Sequence, residues 1–292
     1  MSKYLNVFNT LAEYQAFSAS TEYVQPNVAL VKETNALYYD YGDNQPQADL
    51  SDYKLETEET SVGGNKYGNS AITKINYIPS GVKSLKSAFS GWTSLEEVTC
   101  EIPDSVTNMY NTFSGCSSLV NVPVIPSGVT NMNNTFYGCS SLVNAPEIPN
   151  SVTDMTYTFG GCTSLVNAPE IPSGVTNMNY TFYGCTSLVN VPVIPSGVTN
   201  MNNTFYGCSS LVNAPEIPSG VRRMDYTFSG CTSLKEVTFL RTTPPSYNNT
   251  LYGCSKLETI YVPDSAVSAY KTATRWSAFA SNIKPLSSKP SE

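Results

Sequence analysis

The chain has 292 residues, a net charge of −7 and no histidine, and its pI is near 4.7. The lack of histidine excludes Ser-His-Asp triads, Cys-His pairs and imidazole metal sites. The acidic charge argues against a nucleic-acid-binding protein, which needs a basic surface.

The N-terminal residues 1–65 differ in character from the rest. They carry ten acidic residues against three lysines, which accounts for the whole net charge. Thr10 and Glu13 form a capping box, which predicts a short helix. Alternating apolar residues over 28–33 and 36–41 predict a β-hairpin. We expect a small α+β module here that anchors or oligomerises the chain.

A long phrase, Ile-Pro-Ser-Gly-Val-Thr-Asn-Met-Asn-Asn-Thr-Phe-Tyr-Gly-Cys-Ser-Ser-Leu-Val-Asn, recurs with small changes every 23 residues through the middle of the chain. One unit cannot bury its own apolar face, whereas stacked units place like side chains on one another. We therefore predict a repeat solenoid of about eight coils over 66–262. Short parallel β-strands are expected at Leu-Val-Asn-Val/Ala-Pro, with irregular or turn returns. Its phenylalanine ladder comprises Phe113, Phe136, Phe159, Phe182, Phe205 and Phe228.

Seven of the eight cysteines recur every 23 residues, and each of them directly follows a glycine. Cysteines at one position of each coil predict a column of small buried thiols, and an inter-coil disulfide ladder is the alternative. Without histidine or Cys-x-x-Cys, no zinc site is expected. The cysteines placed in the structural ladder are Cys116, Cys139, Cys162, Cys185, Cys208 and Cys231.

Three glutamates, Glu147, Glu170 and Glu216, share one position of the repeat. Two of them belong to adjacent coils, so a bridging Ca²⁺ is one interpretation. The other is that like charges turn into water without a metal, and this is the default. No metal ligand, cofactor-binding residue or catalytic residue is nominated.

A further column carries tyrosine in some coils and Ser114, Gly160 or Ser229 in others. Such variability indicates a surface rather than a packed core. Rigid tyrosines beside neutral amide groups suit binding of a sugar or a protein partner; simple filling of the surface is the alternative. The predicted ligand surface comprises Tyr137, Tyr183, Tyr206, Asn133, Asn179 and Asn202.

The segment after the last repeat predicts a helical cap over 263–285, followed by a loose tail over 286–292. Asp264 or Ser265 is expected to cap a helix. The apolar residues at helical spacing are Val267, Tyr270, Ala273, Trp276, Phe279 and Ile283.

The phrases Phe-Tyr-Gly-Cys-Ser-Ser-Leu and Asn-Ala-Pro-Glu-Ile-Pro, within about residues 70–285, resemble the BspA-like, treponemal-type leucine-rich repeats. The resemblance implies a right-handed solenoid used for protein or surface attachment, not catalysis. The N-terminal phrase Glu-Tyr-x-x-Phe, followed by Pro-Asn-Val-Ala-Leu-Val, is similar to virion proteins of Bacteroides-infecting, crAss-like phages.

These resemblances lead to an expectation about function and location. The N-terminus lacks the apolar run of a secretory signal, and no stretch approaches the roughly 20 apolar residues of a membrane span. We expect a phage fibre, head-decoration or tail-associated protein, in a virion or at an extracellular surface. Its solenoid would meet a host surface protein or glycan, and its N-terminal module would meet other virion proteins or itself. The alternatives are a bacterial surface adhesin, a spacer without ligand and, least favoured, a glycan-cleaving virion enzyme.

Overall fold

The computed structural model describes the backbone of residues 5–8, 27–31 and 36–40, and whole residues over 73–75, 78 and 82–290. The three N-terminal segments are strands β1 (Leu5–Phe8), β2 (Asn27–Val31) and β3 (Ala36–Asp40) of one sheet. β1 is parallel to β2, and β2 pairs antiparallel with β3. β2 and β3 lie where the hairpin is predicted, whereas the helix predicted at 10–13 lies outside the described residues.

Beyond the N-terminal strands, equivalent residues of successive 23-residue coils pair in parallel. One row of pairs involves the asparagine of Leu-Val-Asn, as in Asn144 with Asn167. A second row lies just before the repeat methionine, as in Asn177 with Asn200. Because both rows join residues one repeat apart, the coils are stacked in register.

Proline decides where these single bridges lengthen into strands. The strands are β4 (Lys74–Ile75), β5 (Glu97–Val98), β6 (Glu236–Thr238), β7 (Thr259–Val262) and β8 (Ile283–Pro285). In five central coils a proline stands four residues after the repeat leucine, whereas Thr99, Thr238 and Tyr261 stand there in the coils of β5, β6 and β7. Proline has no N–H to donate to a ladder. Within the described coils, the strands predicted for every coil are therefore present only toward the two ends.

The part of each coil from the repeat methionine to the repeat cysteine, called the return side below, carries its own ladder of hydrogen bonds. The N–H groups of Phe136 and Gly138 donate to the carbonyl oxygens of Thr158 and Gly160 in the next coil, at 2.9 and 2.7 Å. Between them, N–H groups close turns within the coil, as Cys139 does to Phe136 at 3.0 Å. Gly138 has φ of 72°, a conformation that glycine adopts without steric cost. The return is thus a regular ribbon of turns.

Phenylalanine rings fill the centre of the stack. From Phe113 to Phe228 the ring centroids of neighbouring coils lie 5.4–5.8 Å apart, with planes within 10° of parallel. All six rings are completely buried. Each ring packs on the same residue of the coils before and after it, so the core is a continuous spine.

The cysteines form a second buried column beside the phenylalanines. All eight are free thiols, and none of the predicted alternative disulfides is present in this fully described part of the chain. Each buried Sγ donates to the backbone of the preceding coil, as Cys139 does to the carbonyl oxygen of Phe113 at 3.1 Å. Burial raises the pKa of Cys116 and Cys185 to about 12. These thiols are small apolar fillers at neutral pH.

Short elements close the C-terminal end of the solenoid. They are a 3₁₀ turn (Asp264–Ala266), helix α1 (Val267–Thr272), a 3₁₀ turn (Trp276–Phe279), β8 and a 3₁₀ turn (Leu286–Ser288). Tyr270 and Trp276 are buried over Phe239, with Trp276 edge-on to its ring at 5.3 Å. The indole Nε1 of Trp276 donates to the carbonyl oxygen of Pro245 at 2.8 Å. These two aromatic side chains cover the last ring of the core.

Two details of this end differ from the sequence-based expectation. α1 has no side-chain cap, because Ala266 stands at its N-cap position, and the Asp264 carboxylate instead accepts the N–H of Ser287 at 3.0 Å. The tail expected to be loose from residue 286 begins with a 3₁₀ turn, and Lys289 reaches the carboxylate of Glu216 at 3.3 Å. The first residues of the tail are thus held against the solenoid.

Candidate ligand-binding surface

Five tyrosines from four consecutive coils form one cluster on the return side. They come from two positions of the repeat. Tyr137, Tyr183 and Tyr206 stand five residues after the repeat methionine, while Tyr157 and Tyr180 stand two residues after it. These five residues are called the tyrosine cluster below. The structure brings the three predicted tyrosines together through two that were not predicted.

The rings are in contact from one end of the cluster to the other. Tyr137 meets Tyr157 edge-on, with centroids 5.6 Å apart. Tyr157 stacks on Tyr180 at 4.3 Å, and Tyr180 contacts Tyr183 at 5.6 Å. Tyr183 then stacks on Tyr206 at 5.0 Å. The rings, with neighbouring side chains, line a shallow depression of about 540 Å³.

A glycine makes this arrangement possible. Gly160 stands at the repeat position that holds tyrosine in the coils on either side. A Cβ atom at residue 160 would lie 3.0 Å from Cδ2 of Tyr137 and 3.3 Å from Cδ1 of Tyr157. The absence of a side chain lets the ring of Tyr137 cross to Tyr157 and join two repeat positions into one surface.

Two of the tyrosines adopt a backbone conformation that tyrosine rarely takes. Tyr157 and Tyr180 both have φ of 56°. The equivalent residues Asn111, Asn134 and Asn203 have φ of 54–58°, and asparagine tolerates this region better than bulky residues do. Tyrosine at a position suited to asparagine is the sequence signal for the two missed members of the cluster, and it also selects Tyr226, which lines the same depression.

The three predicted asparagines have different surroundings. The amide oxygens of Asn133 and Asn179 are buried and accept no hydrogen bond from the residues that the structure describes. Asn202 Oδ1 accepts the N–H of Asp225 at 2.9 Å, and only Asn202 of the three lines the depression. The candidate surface is therefore built mainly from tyrosines.

The cluster is nearly free of charge. Asp225, at one edge, is the single charged residue that lines the depression in the described part of the chain. No lysine or arginine occurs anywhere from residue 87 to 221. Burial against other rings, together with the neighbouring hydroxyl of Tyr180, raises the pKa of Tyr157 to about 12. Its hydroxyl is therefore neutral at physiological pH and can both donate and accept hydrogen bonds.

The glutamate column lies elsewhere and is solvent-exposed. Glu147 and Glu170 are exposed, and Glu216 pairs with Lys289. Over residues 82–290 and the shorter described segments, no group of three or more acidic, cysteine or histidine side chains is placed to hold a metal ion. In the same residues, no helix is long and apolar enough to cross a membrane.

The stacked 23-residue coils, each with a buried leucine and a parallel bridge beside it, define a leucine-rich-repeat protein. A family model described as BspA type leucine rich repeat region matches residues 60–179 and 155–284. The chain belongs to this family. Among curated proteins, none matches the chain.

The chain is also similar to solved structures of leucine-rich repeat proteins. A leucine-rich repeat protein from Treponema pallidum is 27% identical over 60% of this chain and 82% of its own length, with a TM-score of 0.51. A leucine-rich repeat protein from Bacteroides ovatus is 26% identical over 70% of this chain, with a TM-score of 0.48. The match spans 64% of the length of the Bacteroides protein. A leucine-rich cell surface protein from Faecalibacterium prausnitzii is 21% identical over 76% of this chain and 79% of its own, with a TM-score of 0.37.

Proposed function

We propose that the chain is a non-enzymatic interaction protein whose solenoid presents the tyrosine cluster to a host surface protein or glycan. The observation that carries the proposal is the continuous contact among five partly exposed rings, which includes two tyrosines at positive φ. Strained residues persist where the surroundings hold them and often mark functional sites. Tyrosine also supplies a large contact area with little loss of entropy on binding.

The chemistry of the chain supports a binding role rather than a catalytic one. The sequence contains no histidine to act as a base. Burial raises the pKa of the Cys139 and Cys162 thiols well above the ordinary value, so they are poor nucleophiles. Charged groups are also sparse around the tyrosine cluster, which suits recognition by shape and neutral hydrogen bonds.

The location that we propose is a phage virion, as a fibre, head-decoration or tail-associated component. The N-terminal sequence resemblance supports it, and residues 1–65 would join other virion proteins or a second copy of this chain. A bacterial cell-surface adhesin is the alternative, which membership of the BspA type repeat family favours. The virion component and the adhesin would use the same interaction surface. They differ in whether a phage particle or a bacterial cell displays the protein.

Binding of the full-length chain to intact cells tests the interaction. The first variant combines Tyr137→Ser, Tyr183→Ser and Tyr206→Ser, because serine already occupies this repeat position in other coils. The matched control is Tyr252→Ser, at the same repeat position, exposed and outside the cluster. We expect the wild-type chain and the control to bind Bacteroides or epithelial cells, and the triple variant to lose binding.

Two results would overturn this proposal. If the wild-type chain binds none of the cells, a spacer without ligand is the better description. If the triple variant binds as well as the wild type, the tyrosine cluster is not the contact surface. Fractionation with an antibody tests the location: recovery with phage particles supports the virion, and recovery with the cell envelope supports the adhesin.

A further inference from the structure

We infer that the tyrosine cluster binds uncharged sugar rings of a host glycan. The inference rests on the proposed function, since it names the ligand class of the same surface. It follows from three properties of the cluster: partly exposed aromatic rings, near-absence of charge, and a backbone whose N–H groups are already hydrogen-bonded.

The rings at the two ends of the cluster are partly exposed, so a sugar ring can reach them. Tyr137 and Tyr206, at the two ends, expose 40% and 36% of their surface. The depression of about 540 Å³ falls within the range of small-molecule sites, roughly 300–1,000 Å³. The face of an aromatic ring is its negative side. It attracts the weakly positive C–H groups that cover one face of a pyranose, while phenolic hydroxyls can bond to sugar hydroxyls.

Charge selects neutral sugars over acidic ones. Binding of sialic acid, uronic acid or sulfate groups is strongest where arginine or lysine can pair with the anion. The 135 residues from 87 to 221 contain neither, and the one charged side chain at the depression is the carboxylate of Asp225. The lining of the depression therefore offers an acidic glycan no cation and one like charge, and the nearest arginines in sequence, Arg222 and Arg223, lie outside that lining.

The backbone beneath the cluster disfavours an extended peptide. Such ligands gain affinity largely from main-chain hydrogen bonds to an open edge. Here the N–H groups of Tyr157 and Gly161 already donate to the carbonyl oxygens of Asn179 and Tyr183 in the next coil, at 3.1 and 2.6 Å. The amide groups of a peptide would find few partners, whereas sugar hydroxyls can remain partly in water.

A glycan microarray with the full-length chain tests the inference. The probes are neutral oligosaccharides that end in galactose, glucose, mannose or N-acetylglucosamine, together with sialylated and sulfated forms of the same cores. We expect retention on one or more neutral probes and weaker retention on their acidic forms. Calorimetry then gives the affinity for the strongest neutral probe.

The critical variant is Tyr157→Asn with Tyr180→Asn, because asparagine is the ordinary residue at this backbone position and the fold should be kept or stabilised. We expect it to lower the affinity at least about tenfold, as the loss of stacked rings would. Gly160→Ala, which pushes a methyl group against Tyr137, should also lower it. Tyr252→Ser should leave the affinity unchanged.

The outcomes separate this inference from the proposed function. The inference is wrong if the chain is retained on no neutral probe. It is also wrong if neither the Tyr157→Asn, Tyr180→Asn double variant nor Gly160→Ala lowers the affinity for the neutral probe. If the chain binds cells equally well after periodate oxidation of their surface sugars, the ligand is a protein; the proposed function then stands and the glycan assignment fails. If binding to cells is absent altogether, the proposed function fails as well.

Discussion

At the scale of single residues, the most informative position is the one with positive φ on the return side. It holds asparagine in several coils and tyrosine at Tyr157, Tyr180 and Tyr226, all three with φ of 56°. Strain of this kind costs on the order of 1 kcal/mol per residue. The residue type thus varies while the backbone conformation does not, and tyrosine is a residue that this conformation disfavours. Natural sequences break local rules mainly at sites of function.

Replacing Tyr226 with asparagine should stabilise the protein. The equivalent residues in the coils on either side are Asn203 and Asn249, so the change restores the preferred residue. We expect the free energy of unfolding to rise by about 1 kcal/mol in urea titrations. The reverse change, Asn203→Tyr, should lower it by a similar amount. Equal stability of all three proteins would show that the positive φ imposes no strain on tyrosine.

The buried thiols predict how stability changes at alkaline pH. Their ordinary pKa is 9.0, and in the folded chain burial raises it to about 12 at Cys116 and Cys185. Below pH 9 both the folded and the unfolded chain hold these protons, so the stability is retained. Above pH 9 the unfolded chain releases protons that the folded chain keeps, which favours unfolding. Each thiol contributes a slope of up to about 1.4 kcal/mol per pH unit.

Urea midpoints measured between pH 8 and 10 test this prediction. Tyrosines also begin to ionise toward pH 10, so the comparison with Cys139→Ala isolates the contribution of a thiol. The midpoint should fall steadily above pH 9. Cys139→Ala should make the fall less steep, because Cys139 is one of the thiols whose pKa is raised. A midpoint that stays constant to pH 10 would contradict the prediction.

Part of the candidate site could be predicted from sequence at this scale. Tyr137, Tyr183 and Tyr206 share a variable repeat position, and variability at a fixed position indicates exposure. Tyr157 and Tyr180 belong to another position, and nothing in the periodicity connects the two. Their contact depends on the space that Gly160 leaves, which is a property of packed coils and not of the repeat pattern.

At the scale of the coil, the 23-residue period predicts the stack and the columns but not the strands. Like residues must lie above one another if each coil is to bury its apolar side. The strands depend on a local detail, the proline four residues after leucine, which removes a donor from the ladder. The periodicity also does not show that the return carries a second hydrogen-bonded ladder, because the repeated glycines and asparagines permit positive φ without requiring it.

The buried threonine column strengthens this second ladder. Thr135 Oγ1 donates to the carbonyl oxygens of Met109 and Met132, at 2.8 and 2.7 Å, and so ties two coils together. Thr135→Val keeps the shape of the side chain and removes these bonds. We expect a loss of about 1–2 kcal/mol in the free energy of unfolding. Thr130→Val, an exposed threonine with a 3.3 Å bond to Thr107, should change it by less than about 0.5 kcal/mol.

At the scale of the molecule, the solenoid is held together by contacts between neighbouring coils. Each coil contacts its immediate neighbours, so cooperativity between distant coils must pass through every interface between them, and the phenylalanine spine is a continuous part of these interfaces. At the C-terminal end, Tyr270 and Trp276 pack on Phe239 and cover it from water. Such a molecule unfolds as one unit only while the stabilising free energy of each interface exceeds the free energy that a single coil gains by unfolding.

Breaking the spine at its centre should therefore uncouple the two ends. Phe159 lies between Phe136 and Phe182, and Phe159→Ala leaves a cavity that costs about 3–5 kcal/mol. Trp92 and Trp276 are the chain's two tryptophans, and they lie near opposite ends of the stack. Labelling both with 5-fluorotryptophan gives one fluorine resonance for each end, assigned with Trp92→Phe.

In the wild-type chain both resonances should change at one urea concentration, because an intact spine makes the coils unfold together. In Phe159→Ala the two midpoints should separate, since each half then unfolds according to its own stability. Val124→Ala, on a side chain that is 82% exposed, controls for the substitution itself and should keep a single midpoint. Coincident midpoints in Phe159→Ala would mean that the coils are coupled by something other than the aromatic spine, and the return-side hydrogen-bond ladder would then be the connection to test.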